Sequence, residues 1–109
     1  MDSAALLRLV SERTRHALLS ALRSGERTVT DLVALLQDEQ SNVSHHLATL
    51  REANLVAVRR QGRQQIYRLS DPEVGRLLDQ VEALAAKLDQ VAYVTALGLP
   101  VQPAFQGYG

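Results

Sequence analysis

Within SNVSHHLATLREANL, residues 41 to 55, the side chains of Ser41, Asn42, Ser44 and His45 carry short hydroxyl, amide and imidazole groups that donate and accept hydrogen bonds. Such groups match the donor and acceptor pattern that base edges present in a DNA major groove, whereas long charged side chains would hold a backbone but read little sequence. A second chemistry follows in RRQGRQQ, where Arg59, Arg60 and Arg63 supply guanidinium forks suited to phosphate oxygens. Arg51 stands between the two sets. The bland alternative for these arginines is a solvated basic surface.

Catalysis is not expected. The chain has no cysteine, no glycine-rich phosphate loop, and no histidine set against a serine and an acid in a recognisable context. Metal chemistry has weak footing. Glu12 and His16 share a helix face at i and i+4, and Asp79 and Glu82 share another, so an oxygen-rich site for a divalent ion such as nickel or zinc would have to form across a dimer. Most pairs of this kind are solvated surface. His45 and His46 diverge by about 100° on a helix and make a poor metal pair. His46, at the margin of the apolar ridge, is expected to be a hydrogen-bonded residue at the edge of the core.

At 109 residues, 46% hydrophobic and 22% charged, the chain has room for one domain with a modest core. No apolar run approaches the roughly 20 residues that span a bilayer, and the N-terminus has no basic region followed by an apolar stretch. A cytoplasmic location without membrane contact is expected. The net charge is zero, but it is unevenly spread. Residues 41–70 hold five arginines against Glu52 alone, while the segments on either side are acidic. A local basic patch on a neutral protein is compatible with DNA.

The elements that must carry these groups are mostly helical. Leu6, Leu7 and Val10 follow helical spacing; Ser11 is placed to cap a second helix carrying Ala17, Leu18, Ala21 and Leu22, which Gly25 ends. Thr28 with Asp31 three residues on has the form of a capping box, opening a short third helix through Leu32, Leu35 and Leu36. The fourth helix puts Val43, Leu47 and Leu50 on one face and Ser41, Ser44, His45 and Ala48 on the other; Asn54, tolerant of left-handed geometry, is expected to stop it. Helices three and four, joined by a few residues, make a helix-turn-helix candidate. Alternation then predicts a two-stranded hairpin through Val56 and Val58 and through Ile66 and Arg68 flanking Tyr67, with Gly62 in its arginine-studded connection. SDPE starts a long helix over about 72–93: Asp71 caps it and Pro72 takes its first position. Its stripe, including Leu77, Val81, Leu84 and Leu88, is wide enough to pack on the first helix or on a second copy of itself. Residues 1–93 are expected to form the domain. Residues 94–109 are expected to be an irregular tail, with Phe105 and Tyr108 as docking points.

Three pieces in order, the TR of ERTRHALLSAL, VSHHLATLREANLV and QGRQQIYRLSD, resemble the ArsR/SmtB family of winged-helix bacterial repressors over roughly residues 5 to 93. The resemblance implies a mainly α fold with a two-stranded β-wing, a winged helix-turn-helix. It adds Gln40 to Ser41, Ser44 and His45 as base-facing positions and makes Arg63 a wing contact. It also implies a homodimer built from the first and last helices, which would bury Leu6, Leu7, Val10, Leu77, Val81, Leu84 and Leu88.

Departures from the family pattern bear on the inducer. Where many members open the third helix with cysteines, this chain has Thr28 and Thr30, so no thiolate site is expected there. Asp71 and Glu73 fall on the first pair of zinc-ligand positions of the last helix, but the second pair falls on Leu84 and Lys87, which do not ligate. A pairing of Lys87 with Asp71 or Glu73 of a second copy is expected instead.

The function expected from all this is sequence-specific binding of double-stranded operator DNA by a homodimeric transcriptional regulator, with repression as the family expectation. Control is expected from a metal ion or a sensory partner protein. The competing expectation is a winged-helix adaptor whose arginines meet an acidic protein surface.

Overall fold

Each helix of the computed structural model, which describes residues 1–98, starts where a side chain caps it or where the preceding turn supplies negative charge. The first helix, α1 (Ser3–Ser11), opens on Asp2, whose Oδ1 accepts the Ala5 N–H at 2.7 Å. The second, α2 (Arg13–Leu22), opens on Glu12, whose Oε2 accepts the Arg15 N–H at 2.8 Å. The cap expected at Ser11 is therefore one residue out: Ser11 ends α1, its hydroxyl donating to the Arg8 carbonyl at 3.1 Å. A carboxylate on the longer Glu12 stem reaches the same orphan donors and adds a favourable charge at the helix N-terminus.

Helix α3 (Val29–Leu36) has the reciprocal box read from the sequence, with Asp31 N–H donating to Thr28 Oγ1 at 3.1 Å and Thr28 N–H donating to Asp31 Oδ2 at 3.3 Å. It ends on Gln37, which takes the left-handed conformation at φ 52°. Helix α4 (Gln40–Glu52) begins three residues later and stops before Asn54, left-handed at φ 64° as its amide side chain allows. These two helices and the turn between them are the helix-turn-helix.

Strands β2 (Val56–Gln61) and β3 (Gln64–Leu69) pair antiparallel, with Gln61 opposite Gln64. The two-residue connection has positive φ at Gly62 (62°) and not at Arg63, the pattern of a type II′ hairpin turn. A short strand not expected from the sequence, β1 (Arg27–Thr28), adds to the other edge of β3, giving the order β1-β3-β2. Two residues carry no readable alternation; a third strand this short is specified by its partner.

Helix α5 (Pro72–Ala96) starts at Pro72, with Asp71 Oδ1 accepting the Glu73 N–H at 2.8 Å, and runs three residues beyond the expected end at 93. The chain divides into two units, residues 1–76 and 77 onward, and α5 contributes to both. In the first, Leu18, Leu19, Leu32, Val43, Leu47 and Leu50 are wholly buried. Each contributes about 1.5–3 kcal/mol relative to exposure, and three of them lie on α4, fixing its rotation. Leu35, which falls on the helical period of α3, is 53% exposed. In the second unit Leu78 is buried while Val81, Leu84 and Leu88 are open to solvent. Among the described residues no helix is long and apolar enough to cross a membrane. The docking points expected at Phe105 and Tyr108 lie outside the described residues.

Candidate nucleic-acid interface

Burial of Val43, Leu47 and Leu50 leaves the opposite side of α4 facing outward: Gln40, Ser41, Ser44, His45, Ala48 and Arg51 are all exposed. None of these side chains is committed to an ion pair among the described residues, so their hydrogen-bonding capacity is available. Asn42 differs from its neighbours. It is half-buried, and its Nδ2 donates to Asp38 Oδ2 at 2.6 Å while Asp38 Oδ1 accepts the Glu39 N–H at 2.7 Å. These bonds, the Asn42 side chain foremost, hold the Asp38 carboxyl below its ordinary value and clamp the turn against the first turn of α4.

The hairpin tip lies beside that turn. Arg60 and Arg63, with Gln64 and Gln65 from β3, face Thr28, Thr30 and Gln40 across an open concavity of about 250 Å³. Both arginines are exposed and make no ion pair among the described residues. Arg59 has a different environment. Its Nε and Nη2 donate to Glu26 Oε2 at 3.1 and 2.8 Å, and its Nη1 donates to Gln61 Oε1 at 2.9 Å. The bonded Arg59 guanidinium holds the Glu26 carboxyl below its usual range, and Glu26 in turn raises Arg59. Sequence reasoning grouped Arg59 with the other two arginines because a glutamate 33 positions away gives no local signal.

His46 sits where expected, at the core edge with its side chain 13% exposed. Arg15 Nη1 lies 3.3 Å from His46 Nδ1, Glu12 Oε2 lies 3.6 Å from the same nitrogen, and Arg15 Nε donates to the Leu9 carbonyl at 2.7 Å. The role of Arg15 in this node was not read from the sequence. Its nearest signal was the TR pair, which marks the position without naming a partner.

The metal candidates have different surroundings. Glu12 is engaged as described; Asp71 caps α5, and Glu73 bonds Arg76. Asp79 and Glu82 lie exposed on α5, and His16 is half-buried on α2. No three of the His, Asp and Glu side chains gather around a common point among the described residues. Of the dimer candidates, Leu7, Val81, Leu84 and Leu88 are 55%, 42%, 54% and 56% exposed, and Leu6 and Leu77 are half-buried. Val10, at 6%, is already buried within the single chain and has little surface left to give. Tyr93 and Leu97, not among the expected positions, are also exposed.

A helix-turn-helix followed by a hairpin, with a polar outward helix face beside an arginine-bearing turn, defines a winged helix-turn-helix protein. Residues 12–58 match the bacterial regulatory protein, arsR family. The HTH-type transcriptional regulator NmtR of Mycobacterium tuberculosis is 42% identical over 77 residues, 71% of this chain and 64% of NmtR, so the match spans just under two thirds of that relative. The biofilm growth-associated repressor of Agrobacterium fabrum is 36% identical over 83 residues, covering 76% of this chain and 71% of the repressor. Among solved structures, Rv0081 of M. tuberculosis superposes with a TM-score of 0.77 at 30% identity, covering 80% of this chain and 88% of Rv0081. The homodimeric winged helix-turn-helix DNA-binding domain Mb0332 of Mycobacterium bovis gives a TM-score of 0.69 at 28% identity, covering 80% and 89%. The chain belongs to the ArsR family, whose members are regulators and not enzymes.

Proposed function

We propose that this chain is a transcriptional repressor that binds a pseudo-palindromic operator as a homodimer. The observation that carries this is the polar face on α4 beside Arg60 and Arg63, which make no ion pair among the described residues. Gln40, Ser41, Ser44 and His45 read base edges in the major groove, and Arg51, Arg60 and Arg63 hold phosphates. Asn42 and Arg59, counted among the contacts on sequence alone, are drawn into bonds with Asp38 and Glu26 and serve the scaffold first.

Two copies joined through the exposed α5 face present two such helices, which calls for half-sites about one helical turn apart. Support for the dimer comes from the apolar exposure of Val81, Leu84 and Leu88 and from the homodimeric state of the Mb0332 domain. Response to a divalent ion such as nickel or zinc would have to be assembled between protomers from pairs such as Glu12 with His16 or Asp79 with Glu82. Calorimetric titration of the wild type against His16→Ala tests it.

The deciding experiment is duplex binding as a function of salt. With Arg51, Arg60 and Arg63 of each protomer giving six phosphate contacts per dimer, log affinity falls against log salt with a slope of about −5. A protein-binding adaptor would show no duplex preference and no such slope.

A further inference from the structure

Glu26 directly precedes β1 and Arg59 lies in β2, yet β3 runs between those two strands. Their side chains therefore meet across the central strand, and the contact is a fork on one carboxylate: Arg59 Nε to Oε2 at 3.1 Å and to Oε1 at 3.4 Å, with Nη2 to Oε2 at 2.8 Å. Gln61 fixes the remaining arm, Nη1 to Oε1 at 2.9 Å. Successive strand residues point to opposite faces, so Arg59 and its neighbour Arg60 diverge. Arg60, opposite Gln65 in the ladder, lines the open concavity with Arg63.

We propose that Glu26 and Arg59 form a latch that fixes the hairpin to the body of the fold and so aims Arg60 and Arg63, which makes Arg59 a positioning residue and not a phosphate ligand. The inference rests on the DNA-binding reading above. The latch runs against simple charge logic. An acidic side chain next to a phosphate-binding hairpin opposes DNA, and deleting its charge should tighten binding if charge were all that mattered. A latch gives the opposite sign, because a loosened hairpin must be ordered on binding.

The test has two arms. Without DNA, amide hydrogen exchange across Val58–Arg68 is faster in Glu26→Gln and in Arg59→Gln than in the wild type, while the α4 core amides are unchanged. With operator duplex, both variants bind about two- to fivefold more weakly per protomer, the size of one exposed ion pair. Their salt slopes stay at the wild-type value, whereas Arg60→Gln, losing a phosphate contact in each protomer, loses about 2 units of slope. The double variant Glu26→Arg with Arg59→Glu recovers both exchange protection and affinity.

Tighter binding by Glu26→Gln, a slope loss of about 2 in Arg59→Gln, or no recovery in the double variant overturns the latch. Faster exchange with unchanged affinity overturns the positioning role alone. A wild type that binds no duplex overturns the DNA-binding reading, and with it the purpose assigned to the latch, even where the exchange arm behaves as stated.

Discussion

Arg15 and His46 lie 31 residues apart in sequence and meet with Nη1 at 3.3 Å from Nδ1, which ties α2 to the helix bearing the polar face. Arginine carries no acceptor, so any hydrogen bond in this contact is donated by the guanidinium. The same guanidinium donates from Nε to the Leu9 carbonyl at 2.7 Å, so one side chain links α1, α2 and α4. Arg15→Ala leaves a part-buried carbonyl and imidazole without their donor. A loss of about 1–3 kcal/mol in unfolding free energy is expected, read from the urea midpoint at unchanged m-value. A midpoint equal to that of the wild type would mean the node is ornamental.

Acid should lower stability through three carboxylates. Burial pushes Glu12 upward, but the backbone N–H groups of Arg15 and Thr14, with the charges of His46 and Arg15, outweigh it, and the net shift is below the ordinary 4.5. Glu26 is held below 4.5 by Arg59, and Asp38 below 3.8 by Asn42 and the Glu39 N–H. A depressed folded value means that the stabilisation is complete above the ordinary value and is lost as pH falls through the folded one. The melting temperature should therefore drop below pH 4.5, the ordinary value of the two glutamates. The triple variant Glu12→Gln, Glu26→Gln, Asp38→Asn should give a shallower decline over that range. Equal slopes for the two proteins would show that other groups govern acid unfolding.

The two faces of α4 should separate stability from binding. Leu47→Ala empties a wholly buried site and is expected to cost about 2–5 kcal/mol of stability. Ser44→Ala and His45→Ala touch only exposed positions and should change stability by less than about 0.5 kcal/mol. The two surface changes should nevertheless weaken operator binding by about 1–3 kcal/mol while barely altering affinity for unrelated duplex. Parallel denaturation and fluorescence anisotropy measurements check this. Loss of specific and non-specific affinity together would move these residues from base reading to backbone holding.

What the sequence reveals here is whatever is decided within a few residues. The Thr28–Asp31 box, Asp71 with Pro72, the left-handed Asn54 and the buried side of α4 are all set by neighbours three or four positions apart. The unforeseen features depend on distant or purely tertiary partners. Strand β1 exists because β3 offers an edge, Arg59 is captured by Glu26, and Arg15 is placed by α4. Gln37 is left-handed at a position where no glycine or asparagine marks it, and Leu35 fits the helical period yet faces solvent. Local pattern thus located the polar helix face and the arginine-bearing turn. It did not distinguish an arginine free for phosphate from one held by a carboxylate.

Helix α5 supplies the last test, because Val81, Leu84 and Leu88 fall at i, i+3 and i+7 along one side and remain 42–56% exposed. Val81 and Leu84, with Gln80, Ala83 and the part-buried Lys87, line a shallow concavity of about 200 Å³. A symmetric pairing buries each of these side chains twice, so replacing one with a charge removes about 1.5–3 kcal/mol in each protomer before any repulsion is counted. Leu84→Glu is therefore expected to weaken self-association by about 100-fold or more in sedimentation equilibrium. Operator affinity should fall with it, since two half-sites then require two independent binding events. Circular dichroism should remain that of the wild type, because Leu84 contributes little to the single chain's core. If Leu84→Glu associates as tightly as the wild type while Leu7→Glu does not, the contact lies on α1 instead.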